Sequence, residues 1–334
     1  YGGFRGGPAY YIHAFFEKHT GRKKKRFLIS SLFAISGLIC WCGISQVISN
    51  SVSSAFENAF CVPPLATTIV LVVFAAFIVL RKNATVKILD IIVPIMACCY
   101  FFITVVLIVL NFRQLPGVFS RIFSEAFGLR QMAAGGFGAV LMNGIKRGLF
   151  SNEAGMGSTP HAHALANVAE PHDQGCVAMI GVFIDTFVVL TLNSLVIIST
   201  MYTPDGVLAN GYMGAVVDTI GKANLAQTAF GTVFGAGFGN MFVAICLFFF
   251  AFSTILGWNL FGKINMQYLF GDKSYKIYTV IALVFIFLGT LASNDLVWEL
   301  SDMFNQLMVI PNVIALFALT KMVQGCTKGL KADR

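Results

Sequence analysis

RGLFSNEAGMGSTPHAHA, Arg147 to Ala164, interrupts an otherwise strongly apolar chain. Gly148, Gly155 and Gly157 relax the backbone, while Ser151, Asn152, Glu153 and Ser158 set polar groups where an unbroken membrane helix would carry apolar ones. Irregular backbone at membrane depth is tolerated only where protein buries it or where it lines a cavity. Its freed N–H and C=O groups can then hold a small ion or a zwitterion, with a half-helix N-terminus turned toward a carboxylate. A Gly/Ser-rich loop at the cytoplasmic surface is the competing reading of the same residues. Upstream, Gly135, Gly136 and Gly138 offer a second place for the helix to break.

The surroundings of this stretch decide the class. Of 334 residues, 57% are hydrophobic and 11% charged, with a mean hydropathy of +0.78. Globular domains carry about 25% charged residues, so a soluble protein of this composition could not cover its own surface. Thirty-three Phe and 32 Gly fit helices packed in lipid, where small residues let backbones approach and aromatics meet acyl chains. The net charge of +8 comes from short basic clusters between apolar runs, a membrane-orientation pattern rather than a nucleic-acid groove, so no nucleic-acid partner is expected. Most cysteines, Cys40, Cys42, Cys98, Cys99 and Cys246 among them, lie inside apolar stretches and read as small hydrophobes. The chain opens on Tyr1 without a signal peptide and reads as truncated at its start.

A membrane-crossing helix needs about 20 mostly apolar residues. Eight candidates meet that need: Phe27 to Asn50, Leu65 to Leu80, Ile88 to Leu110, the interrupted region Met132 to Ala166, Cys176 to Met201, Met241 to Phe261, Ile277 to Ala292, and Leu296 to Thr320. EKHTGRKKKR, before the first span, places that side in the cytoplasm. Alternation then leaves few basic residues outside, provided the fourth region counts as one crossing. The expected layout is a cytoplasmic segment over 1–26, one transmembrane domain over 27–320, and a basic cytoplasmic tail over 321–334. Between the fifth and sixth spans, NLAQTAFGTVFG is too short to cross and is expected as a helix over the outer face.

A second polar group sits in FFFAFSTILGWNLFG, Phe248 to Gly262. Ser253 and Thr254 are adjacent hydroxyls, and Trp258 follows Thr254 by one helical turn. Hydroxyl oxygens with a nearby carbonyl such as that of Phe250 suit a hard monovalent cation, and the indole can close a small pocket. Hydroxyls bonded to carbonyls of the preceding turn, with an interfacial Trp, give the alternative. In the first span Gln46 and Asn50 form a polar stripe with several serines; Asn50 both donates and accepts, as an amino-acid ligand requires. Interhelical hydrogen bonding is its alternative role.

Acids inside spans are costly and are usually paired or functional. Asp185 lies well inside its span, and with Glu153 is a candidate coupling carboxylate. Glu299 and Asp302 are expected instead to favour a helix N-terminus. His161, His163 and His172 do not match a metal-site spacing, and neither a Walker loop nor a G-x-S-x-G elbow occurs, so no enzyme chemistry and no metal site is expected.

GGPAYYI at Gly6 to Ile12, RGLFSNEAGMGS at Arg147 to Ser158, QGCVAMIGVFIDT at Gln174 to Thr186, FAFSTILGW at Phe250 to Trp258 and LVWELSDMFNQLMVIPN at Leu296 to Asn312 together resemble the alanine or glycine:cation symporter family. The resemblance runs from about Gly6 to Thr320. It implies an all-α polytopic membrane protein of the inverted-repeat LeuT type, in the APC superfamily, with the eight spans resembling core helices three to ten and the first two absent. It further implies sodium-coupled symport of alanine or glycine by alternating access in the cell membrane. Sodium would be the co-transported ion, with neither an organic cofactor nor another metal. By the same resemblance, Asn50, Ser151, Asn152, Gly155, Thr254 and Trp258 contact substrate, while Phe250, Ser253 and Thr254 lie near sodium. One departure stands out: the family's usual Gln in the third core helix corresponds to Ile48, which leaves the choice among small neutral amino acids open. Proton coupling through Asp185 or Glu153 is the alternative mechanism, and a channel or receptor without substrate coupling is the alternative class; the latter lacks the symmetric filter loops expected of a channel.

Overall fold

The computed structural model describes residues 6–80, 84–127, 136–209, 220–221 and 224–332. Every regular element among them is helical. In chain order the α-helices are α1 Pro8–Thr20, α2 Leu28–Phe60, α3 Pro64–Leu80, α4 Ala84–Leu110, α5 Leu115–Phe127, α6 Gly136–Asn152, α7 Pro160–His163, α8 Pro171–Phe183, α9 Leu190–Met201, α10 Leu225–Phe234, α11 Ala236–Phe270, α12 Tyr275–Gly289 and α13 Asn294–Ala332. A π-helical segment, Ile184–Val189, joins α8 to α9. Among the described residues, five helical stretches are long and apolar enough to cross a membrane: Leu28–Phe60, Ile91–Leu110, Pro171–Met201, Ala236–Phe270 and Asp295–Gly325. Pro64–Phe77 and Tyr275–Gly289 are shorter apolar helices. The protein is therefore all-helical with several apolar spans, the build of a polytopic membrane protein.

Helix ends follow local chemistry. Pro8 opens α1, where its missing N–H costs nothing, and Gly21 closes it at φ 62 with its N–H on the Glu17 carbonyl at 3.0 Å. The α2 helix outruns the expected Asn50 by ten residues, to Phe60. Val52, Ser53 and Ala55 are buried on this extension, which stops only at Cys61, φ 54, ahead of Pro63 and Pro64. The helix over NLAQTAFGTVFG forms as α10, whereas α5 was not foreseen. Glu299 and Asp302 do not cap a helix: α13 begins at Asn294 with Asp295 in its first turn, so Asp302 falls two turns in and is buried.

The chain forms two compact units. The first comprises residues 1–48, 152–183 and 254–334. Its core gathers Ile12, Phe33, Trp41, Ile286 and Met308, and a cluster of Cys42, Met266, Tyr278 and Ala282 ties α2, α11 and α12 together. Gly262 lets α11 and α12 touch, since a Cβ there would lie 2.0 Å from the Tyr278 ring. The second unit comprises residues 49–151 and 184–253. Its core is built on Leu107, Val196, Met201, Ala229, Phe230 and Val243. Gln227 of α10, fully buried, donates to the carbonyls of Ala55 at 2.9 Å and Asn240 at 3.0 Å and accepts from Asn58 Nδ2 at 3.2 Å. Those three bonds fasten α10 to the ends of α2 and α11.

Candidate functional site

The α6 helix ends at Asn152, inside the Arg147 to Ala164 stretch where the sequence suggests an interruption. Asn152 Oδ1 accepts from the Ala154 N–H at 2.9 Å, an Asx turn that offers the backbone an alternative to the next helical bond. Glu153 then takes the left-handed region at φ 56, followed by Gly155 at φ 80 and Gly157 at φ 84. Left-handed backbone at a non-glycine residue is costly and persists only where its surroundings enforce it.

In the first unit the enforcing contacts are visible. Asn312 Nδ2 donates to the Gly155 carbonyl at 2.8 Å, and the Tyr11 hydroxyl donates to Asn312 Oδ1. Burial pushes the Tyr11 hydroxyl well above its ordinary value, which keeps it a donor. Ser158 Oγ donates to the Glu153 carboxylate, so this carboxylate is engaged inside its own loop. At Gly157 a Cβ would lie 2.6 Å from Pro8 Cγ, 2.9 Å from Asn312 Cγ and 3.0 Å from Phe33. Gly157→Ala is therefore expected to combine left-handed strain with overpacking, costing about 3 kcal/mol. A thermal-unfolding midpoint of the purified protein lowered by several degrees is the check.

Beyond the loop, His161 is fully buried among Phe33, Trp41 and Phe261. Its Nδ1 meets the Ser158 carbonyl at 2.7 Å and its Nε2 meets Asn265 Nδ2 at 2.7 Å. Trp258 joins the same aromatic group, 6.0 Å from Trp41 and 5.5 Å from Phe261 between ring centroids. Trp41 Nε1 and Asn265 Oδ1 are buried without a hydrogen-bond partner among the described residues. Of the sequence-assigned residues, this unit holds Asn152, Glu153, Gly155, Thr254 and Trp258. Thr254 is half-buried on α11, one turn from Trp258.

The second unit holds Asn50, Ser151, Asp185, Phe250 and Ser253. Ser151 Oγ sits 3.1 Å and 2.9 Å from the two carboxylate oxygens of Asp185 and donates to them. Asp185 belongs to the π-helical segment, a local widening that recurs at functional sites. The Ser253 hydroxyl donates to the Phe250 carbonyl at 2.8 Å, the bond to the preceding turn that the sequence offers as the alternative to a cation site. Asn50 is half-buried, and its carbonyl accepts from Ser53 Oγ at 2.9 Å. A cavity of about 360 Å³ opens beside Phe250, lined also by Tyr100, Thr104, Asn193 and Cys246, with the Tyr100 hydroxyl donating to Asn193 Oδ1 at 2.8 Å.

The family model described as the sodium:alanine symporter family matches residues 1–334. The chain belongs to the sodium:alanine symporter family. This is a family of transporters rather than of enzymes. The amino-acid carrier protein AlsT of Bacillus subtilis is 34% identical over 334 residues, covering 99% of this chain and 67% of that protein. The probable sodium/glutamine symporter GlnT of Bacillus subtilis is 37% identical over 328 residues, 96% of this chain and 63% of the relative. The sodium/alanine symporter AgcS of Methanococcus maripaludis is 36% identical over 335 residues, 100% of this chain and 71% of the relative. The chain thus spans between 63% and 71% of the lengths of these relatives.

Sequence reasoning missed His161, Asn265, Asn312 and Tyr11 as partners of the break. Their only local signal is polarity within apolar surroundings.

Proposed function

We propose that the protein serves sodium-coupled symport of a small neutral amino acid, alanine or glycine, across the cell membrane by alternating access within an inverted-repeat helical bundle of the LeuT type. The observation that carries this reading is the bond from Ser151 to Asp185. It pairs a carboxylate within the long apolar Pro171–Met201 stretch with a hydroxyl at the broken end of α6. Oxygen donors of this kind suit a hard monovalent cation, and the freed backbone after Asn152 suits the charged ends of a zwitterion. Trp258, with Trp41 and Phe261, supplies an apolar wall that limits side-chain size. Cation binding then favours the substrate-ready state by its differential affinity for the two access states. The names of AlsT and AgcS support an amino acid as cargo and, for AgcS, alanine with sodium.

Uptake of labelled alanine by vesicles holding the full-length gene product tests the reading. Accumulation is expected under an inward sodium gradient, and Thr254→Ala or Trp258→Ala is expected to lower it at least tenfold. Accumulation driven by a pH gradient alone would favour the second reading, proton coupling, for which the membrane-embedded carboxylate of Asp185 is the carrier. Preference for glutamine over alanine would move the substrate toward that in the name of GlnT.

A further inference from the structure

We propose that the basic loop between α1 and α2 binds the headgroup of an anionic phospholipid at the cytoplasmic edge of the first unit. Arg22, Lys23, Lys24, Lys25 and Arg26 follow the Gly21 stop in succession, all exposed, and α2 begins at Leu28. Five like charges in a row repel one another unless a partner of opposite charge neutralises them. The opening turns of α2 say where that partner lies. Leu28, Leu32, Ile35 and Ile39 recur at helical spacing, and Leu28 is 76% exposed, the face of a helix that meets acyl chains. A lipid whose tail covers Leu28 and Leu32 carries its phosphate at the level of the basic loop.

Two further observations separate this from a signal for membrane orientation alone. First, the Arg26 guanidinium lies 6.0 Å from the centroid of the Phe270 ring at the end of α11. That contact brings the loop to the turn carrying the exposed Lys273 and Lys276, so charge is pooled from segments far apart in sequence; Asp272 is the acid of that turn. Second, a recess of about 640 Å³ opens beside Lys25, lined by Tyr10, His13, Glu17 and Tyr268. His13 Nδ1 is 2.9 Å from the Tyr268 hydroxyl, and the Glu17 carboxylate lies 3.9 Å from His13 Nε2. The recess therefore offers an ammonium and hydroxyl groups to a phosphodiester, while its single carboxylate is directed at the imidazole. Juxtamembrane basic residues each favour an anionic surface by about 1 kcal/mol, about fivefold in affinity.

The inference rests on α2 as a membrane span and not on which ion or amino acid is carried, so lipid binding and uptake fail independently. The test incubates the detergent-purified protein with equal amounts of phosphatidylglycerol and phosphatidylcholine and counts retained lipids by native mass spectrometry. Phosphatidylglycerol is expected to be retained about tenfold over phosphatidylcholine, with the preference collapsing in about 0.5 M salt. Lys24→Gln with Lys25→Gln is expected to lower phosphatidylglycerol retention up to about tenfold, toward the level of phosphatidylcholine, and Lys24→Arg with Lys25→Arg to preserve it. These side chains are exposed, and Arg22, Lys23 and Arg26 remain to orient the span. Should the glutamine pair fail to purify, the lipid preference of the unaltered protein and its salt dependence decide alone. Equal retention of both lipids, or an unchanged glutamine pair, would overturn the proposal. So would displacement of phosphatidylglycerol by an equal concentration of glycerol phosphate, which would mark a site for soluble anions.

Discussion

Asp185→Asn is expected to lower sodium-driven alanine uptake at least a hundredfold while the protein remains folded. The substitution keeps the shape of the side chain and an oxygen that accepts from Ser151, so the contact between α6 and the π-helical segment survives. What it removes is a full negative charge from a long apolar helix, and a charge kept there at such cost is ordinarily functional. Hydrogen bonds to a charged group contribute about 1.5–3 kcal/mol. Ser151→Ala is accordingly expected to raise the sodium concentration for half-maximal uptake about tenfold, and to add little once Asp185 is already Asn. Uptake against sodium concentration for both single variants and the pair makes the comparison. An Asp185→Asn protein within threefold of the unaltered one, at every sodium concentration, would remove Asp185 from the coupling site.

How much of this was legible beforehand depends on the physics that left a trace in the letters. Apolar runs of about span length located the long helices, because burial in lipid demands composition rather than a particular partner. An interruption within Arg147 to Ala164 was legible too, since Asn, Gly and Ser there are the residues that turn chemistry requires, though its exact residue was not. The π-helical register over Ile184–Val189 was not, because adding one residue to a turn alters neither the composition nor the apolar run. The same holds for the partners of the break. Tyr11 and Asn312 stand at opposite ends of the described chain, and their pairing is fixed by tertiary packing that no local pattern records. Glu299 and Asp302 show the converse error: acids near an expected helix start suggested the favourable end of a dipole, but the helix begins earlier and the macrodipole argument applies to Asp295.

The buried imidazole is the second place where a large effect is expected, this time on stability. Asn265 Nδ2 donates to the Phe261 carbonyl at 2.9 Å, which identifies it as the NH₂ end of the amide; its contact with His161 Nε2 at 2.7 Å must then be a donation. Nε2 is therefore the acceptor, Nδ1 carries the proton that the Ser158 carbonyl receives, and the ring is neutral. His161→Leu takes the acceptor from one N–H of Asn265 and one of two donors from the Ser158 carbonyl, which keeps the backbone N–H of residue 161 at 3.1 Å. It does so at a fully buried site where Asn265 Oδ1 already lacks a partner among the described residues. A buried polar group left unsatisfied costs about 1–3 kcal/mol, and lost packing against Phe33, Trp41 and Phe261 adds to it. A loss of about 4 kcal/mol is expected, read as a thermal midpoint lower by about 6 °C. Adding Asn265→Leu is expected to restore more than half of that loss, because removing both partners of a buried hydrogen bond leaves no orphan for that bond. A double variant as unstable as His161→Leu alone would place the cost in the aromatic packing around the ring, and the loop after Asn152 would then be held by Asn312 and Tyr11 rather than by the histidine.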